Sequence, residues 1–140
     1  GSFGVIALII CICLKWAGLA ALPIGSAAMA VFVSAVISRG TLPVFMRYLP
    51  TVKEEGLSAQ VGQPDFDCVA ISILITLAAA LIGLGFWLTI YVVLVLALIT
   101  GAMAFWVKIK IGGQTGDILG AFQQIVEISV ILTIAAVGIP

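Results

Sequence analysis

The sequence contains no histidine and very little charge. Only 9% of its 140 residues are Asp, Glu, Lys or Arg, in equal numbers of each sign, and the formal net charge is zero. The missing histidine removes the commonest general base and the commonest metal ligand. No Ser-His-Asp or Cys-His mechanism can be assembled within the chain. The balanced charge offers no basic surface for nucleic acid, so no nucleic-acid partner is expected. The three cysteines, Cys11, Cys13 and Cys68, have neither metal-finger nor disulfide-framework spacing. They read as small hydrophobes.

What is abundant is hydrocarbon. Hydrophobic residues make up 64% of the chain and the mean hydropathy is +1.37. Soluble domains carry about 45–50% apolar and about 25% charged residues. A water-soluble fold of this size could not hide so much apolar surface; lipid could cover it. Five apolar runs are visible: Val5 to Leu22, Ala27 to Met46, Val69 to Trp87, Thr89 to Val107 and Ile118 to Ile139. Each has about the 20 residues that a helix needs to cross a hydrocarbon core about 30 Å thick. Continuous runs favour helices over the alternating segments of a barrel. The first run lacks a basic flank and four similar runs follow, so it reads as structure and not as a signal peptide. The expectation is a single all-α domain over 1–140, a polytopic membrane bundle of about five transmembrane helices.

The breaks between runs differ in kind. Pro23 and Gly25 end the first. Residues 47–67 gather Arg47, Lys53, Glu54, Glu55, Asp65 and Asp67 with Pro50 and Pro64, and read as a charged loop. Gly83 and Gly85 are the only turn signals between the third and fourth runs. Residues 108–117 form a second polar loop, rich in glycine. Two crossings separate the charged loops, which puts them on one side with the chain's start. The positive-inside rule makes that side cytoplasmic.

Charges within spans are functional candidates. Lys15 and Glu127 each lie about ten residues, or about 15 Å, into spans entered from the same face. They are expected to approach each other as an ion pair, directly or through Gln123 or Gln124. The alternative is a lysine that snorkels alone beside a protonated glutamate. Arg39 lies in the second span, about two turns from Arg47, and is expected to face a polar interior near Ser34 and Ser38 or to pair with Glu127.

The densest signal is Lys108-Ile-Lys-Ile-Gly-Gly-Gln-Thr-Gly-Asp117, which opens the last run. Backbone amides at Gly112, Gly113, Gln114, Thr115 and Gly116, with a helix N-terminus behind them, could hold a phosphate or diphosphate. Asp117 could offer a carboxylate to Mg²⁺. The same residues would serve equally as a helix cap and a turn. No Walker motif is present. Ser38 with Arg39 could contact a phosphate. In the run Lys53, Glu54 and Glu55, offered as a substrate- or phosphate-binding segment, the paired carboxylates could bind a metal or a cationic group; the alternative is a solvated charge run.

The segment Gly112 to Ala121, Gly-Gly-Gln-Thr-Gly-Asp-Ile-Leu-Gly-Ala, resembles the C-terminal signature of the cobalamin synthase family, the adenosylcobinamide-GDP ribazoletransferases. Gly1 to Leu8, Ser38 to Gly40 and Glu54 to Leu57 are similar in the same order, and Lys15 and Glu127 fall where the family carries a lysine and a glutamate. The resemblance implies a multi-pass enzyme of the cytoplasmic membrane. It would join α-ribazole, or its 5′-phosphate, to adenosylcobinamide-GDP with release of GMP and the help of Mg²⁺. Asp117, Arg39 and Lys15 would be catalytic, Asp117 at the metal, and the glycine loop would hold the diphosphate. The family's aspartate-rich motif, Asp-Gly-x-Ala-Asp-x-x-Asp-Gly, does not occur in this chain. The resemblance therefore implies a C-terminal portion, inactive alone, whose partner is the missing N-terminal half. Gly116 and Gly120 also permit close helix contact in a homo-oligomer. Two other classes fit the composition: a small transporter or channel subunit, and a CDP-alcohol phosphatidyltransferase-like enzyme.

Overall fold

The computed structural model describes residues 2–50 and 62–138. Lys53, Glu54 and Glu55 lie outside the described residues. Among the described residues the elements are helices: α1 (Ser2–Ala20), α2 (Ile24–Gly40), α3 (Leu42–Tyr48), α4 (Phe66–Lys110) and α5 (Gly116–Val137). Among the described residues, four helical segments are long and apolar enough to cross a membrane: α1, the α2–α3 pair, α4 and α5. The chain is an all-α membrane bundle.

Two sequence boundaries move. The second apolar run is broken at Thr41, where α2 gives way to α3. Pro43 stands in the first turn of α3; having no N–H, it cannot bond the Arg39 carbonyl one turn back. Thr41 bridges the break by donating its hydroxyl to the Ile37 and Ser38 carbonyls. The third and fourth runs, expected as separate helices, are joined in α4, 45 residues long and broken at Gly85. Gly85 has φ 73° and ψ 176°, a region open essentially to glycine alone. The chain folds back there, because Ile73 and Thr76 before the break line the same cavity as Leu96 and Thr100 after it. Each arm then matches one crossing.

Packing settles the directions. Gly40 meets Thr76 and Ser72, while Gly83 meets Val33 and Met29, so α2 and the first arm of α4 are antiparallel. Ser72 donates its hydroxyl to the Gly40 carbonyl. Lys15 meets Glu127 and Gly18 meets Ile131, so α1 and α5 run parallel. The core lies where α2, α4 and α5 meet, around Val33, Ile37, Leu84, Leu88, Phe122 and Val126. Phe45 of α3 stacks on Phe122 with centroids 4.1 Å apart, pinning the short helix beneath α5. Most of α1 is exposed, a surface suited to hydrocarbon.

Candidate functional site

The polar residues gather at two levels. The inner level is a contact between α1 and α5. Lys15 Nζ lies 3.0 Å from Glu127 Oε1 and donates a hydrogen bond of 2.8 Å to Gln124 Oε1. Gln124 and Glu127 are three residues apart, so one face of α5 presents both acceptors. The Lys15 and Glu127 side chains are 24% and 17% exposed; in a bilayer that exposure is to lipid, which does not screen charge. Removing one partner leaves a charge unmatched at mid-membrane depth. We expect Lys15→Met and Glu127→Gln each to lower stability by about 1–2 kcal/mol, below the cost in a soluble core because the unfolded helices find other polar partners. The double variant should recover much of the loss, read as a non-additive cycle in thermal melts in detergent. Additive losses would mean that the two side chains are not coupled.

The outer level is the end of the bundle where α3, both ends of α4 and the start of α5 converge. The guanidinium carbon of Arg47 sits 4.2 Å from the ring centroid of Phe66, which ties α3 to the start of α4 by a cation–π contact. Gln63 donates to the Leu49 carbonyl at 3.0 Å. Lys108 and Lys110 stand in the last turn of α4 and not in a loop. There they face the negative end of the helix dipole. Gly112, at φ 89°, reverses the chain while its N–H returns to the Val107 carbonyl, a left-handed glycine termination. Gln114 is fully buried and its backbone N–H donates to the Pro50 carbonyl at 2.8 Å. That bond clasps the glycine turn to the segment after α3. Thr115 caps α5 by accepting from the Ile118 N–H.

These bonds correct the picture of a free amide cradle. The Gly112 and Gln114 amides are committed to Val107 and Pro50. Gly113 is buried, while Gly116 and Asp117 open the first turn of α5 and are exposed. The exposed part at the start of α5 is therefore Gly116 and Asp117, while the Gly112 and Gln114 amides serve the turn.

Arg39 also departs from expectation. Ser34 and Ser38 are fully buried and donate to the Val31 and Ala35 carbonyls of their own helix. Arg39 is exposed and donates to the Ala35 carbonyl. It lies beside a shallow recess with Cys68 and Ser72. Arg39 shares neither the serines' surroundings nor the carboxylate of Glu127. One turn of helix holds both kinds of residue because consecutive positions point about 100° apart.

Among the described residues no three His, Cys, Asp or Glu side chains group as a metal site. Asp117 is a single exposed carboxylate. Mg²⁺ is usually held by one or two carboxylates with substrate phosphates and water. The described residues therefore do not make a self-contained Mg²⁺ site.

Three of these features have no signature in the sequence: the Gln114–Pro50 clasp, the Arg47–Phe66 contact and the Phe45–Phe122 stack. Each depends on chain segments far apart in sequence. None carries a local pattern.

Comparison with known proteins follows the same span. A family model described as cobalamin-5-phosphate synthase matches residues 1–135. The adenosylcobinamide-GDP ribazoletransferase of Bradyrhizobium diazoefficiens is 36% identical over 137 residues, covering 97% of this chain and 53% of its own length. That of Azorhizobium caulinodans is 38% identical over 141 residues, covering 94% and 53%. That of Shewanella piezotolerans is 32% identical over 144 residues, covering 99% and 55%. The chain spans about half the length of the curated relatives it matches. No solved structure matches it.

Proposed function

The chain belongs to the cobalamin-5-phosphate synthase family, and from that premise we propose that its residues serve the transfer of α-ribazole, or its 5′-phosphate, onto adenosylcobinamide-GDP with release of GMP. In that step a hydroxyl of the ribazole attacks the phosphorus that carries the cobinamide. A new P–O bond forms, the P–O bond to GMP breaks, and the hydroxyl proton leaves to a base or to water. The chemistry asks for alignment and for positive groups around the phosphates. The observation that carries this reading is the convergence of Arg47, Lys108, Lys110 and the start of α5 at one end of the bundle, all within the matched span. The chain is proposed to lie in the cell membrane with that end cytoplasmic, an orientation that the positive-inside rule supports.

Arg39 is proposed to approach a phosphate oxygen from its exposed position, which suits a substrate that leans along α2. Lys15 is proposed to act through its pair with Glu127, positioning α5 instead of touching substrate. Mg²⁺ is proposed as the metal, with Asp117 as one ligand beside substrate oxygens.

Expression of the natural open frame that encodes this chain, in a strain lacking its own ribazoletransferase, should restore cobalamin synthesis. Membranes from that strain should release GMP from adenosylcobinamide-GDP plus α-ribazole. Solute uptake into vesicles without GMP release would assign the chain to the transporters instead, and a lipid product to the phosphatidyltransferases. In the same assay Asp117→Asn is expected to cut turnover by at least about tenfold and to raise the Mg²⁺ requirement. The loss of stability should be small, since the residue is exposed and contributes mainly to the helix dipole. Full turnover at the usual Mg²⁺ concentration would remove Asp117 from the metal.

A further inference from the structure

Between the two arms of α4, under α2 and α3, runs a groove of about 660 Å³ whose wall includes Tyr48, Thr76, Leu96, Ala97, Gly101 and Lys108. We infer that this groove holds one acyl chain of an anionic phospholipid of the host membrane, with its headgroup phosphate at Lys108. The groove shares Lys108 with the transferase site, but lipid retention and GMP release are separate readouts, so either reading can fail without the other.

Three observations carry the inference. The first is chemistry. Lys108 is the one charged residue on the wall, and no carboxylate among the described residues pairs with it. The threonines do not make the interior polar. The Thr76 hydroxyl donates to the Ser72 carbonyl and the Thr41 hydroxyl to Ile37 and Ser38, so these donors are turned into their own helices. An apolar channel with a cation at one end is complementary to an amphiphile with an anionic head.

The second is length. The wall runs along α4 from Lys108 to Val93, about 22 Å at 1.5 Å per residue. Half of the hydrocarbon core is about 15 Å deep. A chain from the leaflet on the Lys108 side fits within the groove.

The third is width. A groove of about 660 Å³ that extends over about 22 Å is long and narrow, a shape that one hydrocarbon chain can occupy along its length.

The apolar wall alone confers no preference, because bulk lipid is as apolar as the groove. Selection by headgroup must come from Lys108, and a basic residue near the surface favours an anionic lipid by about fivefold. The test uses the full chain in vesicles of dioleoyl phosphatidylethanolamine and dioleoyl phosphatidylglycerol at 4:1. After extraction, retained lipids are counted by native mass spectrometry. One phosphatidylglycerol should be retained in preference. Lys108→Gln should lower its retention about fivefold, Lys108→Arg should keep it, and Lys110→Gln, outside the groove, should not affect it. Gly101→Leu, which fills the channel, should abolish retention. If that variant does not fold, a phosphatidylglycerol with a photoreactive group on its acyl chain should label the peptide containing Thr100 and Gly101 in the native chain. Equal retention of the two lipids, equal effects of Lys108→Gln and Lys110→Gln, or labelling only outside the groove would overturn the inference. So would a cross-link from Gly101→Cys to a second copy.

Discussion

Replacing Gly85 by valine should lower stability by about 3 kcal/mol, a shift of about 150-fold in the ratio of folded to unfolded protein. No neighbouring atom is responsible: nothing lies within 4 Å of where the new Cβ would stand. The cost is conformational. With φ 73° and ψ 176°, the position is closed to a β-branched residue. The alternative, a straight α4, fails on length. Forty-five helical residues would extend about 67 Å, more than twice the hydrocarbon core. The bilayer therefore enforces the reversal, and the variant must keep it under strain or lose the bundle. Thermal melting in detergent measures the first outcome, and loss of the monodisperse species measures the second. Gly101→Ala is the control, since it too has open space around it but a helical backbone. It should be neutral or slightly stabilising. Equal behaviour of the two variants would show that Gly85 does not make the turn.

The second large effect is expected at Gly40, and there the cause is contact. A Cβ at this position would overlap the Thr76 hydroxyl and come within 3.2 Å of Thr76 Cβ. Thr76 cannot swing aside freely, because its hydroxyl is bonded to the Ser72 carbonyl and its side chain is branched. The helices α2 and α4 would have to part, which also breaks the bond from Ser72 to Gly40. Gly40→Ala should cost about 2–3 kcal/mol, and Gly40→Leu more. Adding Thr76→Ala removes the overlapping oxygen but leaves its Cβ, so the pair should recover only part of the loss. No recovery would place the strain elsewhere. Arg39 and Ser38 adjoin Gly40, so turnover should fall with stability in this series.

Much of this architecture can be read from hydropathy, because a membrane constrains depth more than rotation. The apolar runs and their crossings yield the shared end of Arg47, Lys108 and Asp117. Depth along the chain places Lys15 and Glu127 at one level, and the structure holds them 3.0 Å apart. Rotation about the helix axis is another matter. In α2 most faces are apolar, so nothing in the pattern tells which way Arg39 points, and it points out while Ser38 points in. The break at Thr41 was hidden for a similar reason. Pro43 sits within an uninterrupted apolar run, and a proline in the first turn of a second helix looks locally like one inside a single helix. The amide donors of Gly112 and Gln114 were read as free because their acceptors, Val107 and Pro50, are fixed by the fold and not by the motif.

The parallel packing of α1 against α5 has a consequence for how the protein is made. Lys15 and Glu127 are separated by 112 positions, and the chain grows at about 5–20 residues per second. The lysine is thus incorporated roughly 6–22 seconds before its carboxylate. Throughout that interval α1 carries an unmatched cation whose burial at the bilayer centre costs about 2.5–3.5 kcal/mol. Of the described spanning helices, α1 is therefore made before its partner α5 and can be matched at its final depth only once α5 is present. The ion pair can form only after α5 has entered the bilayer, so it couples the depth of α1 to the insertion of a helix made much later.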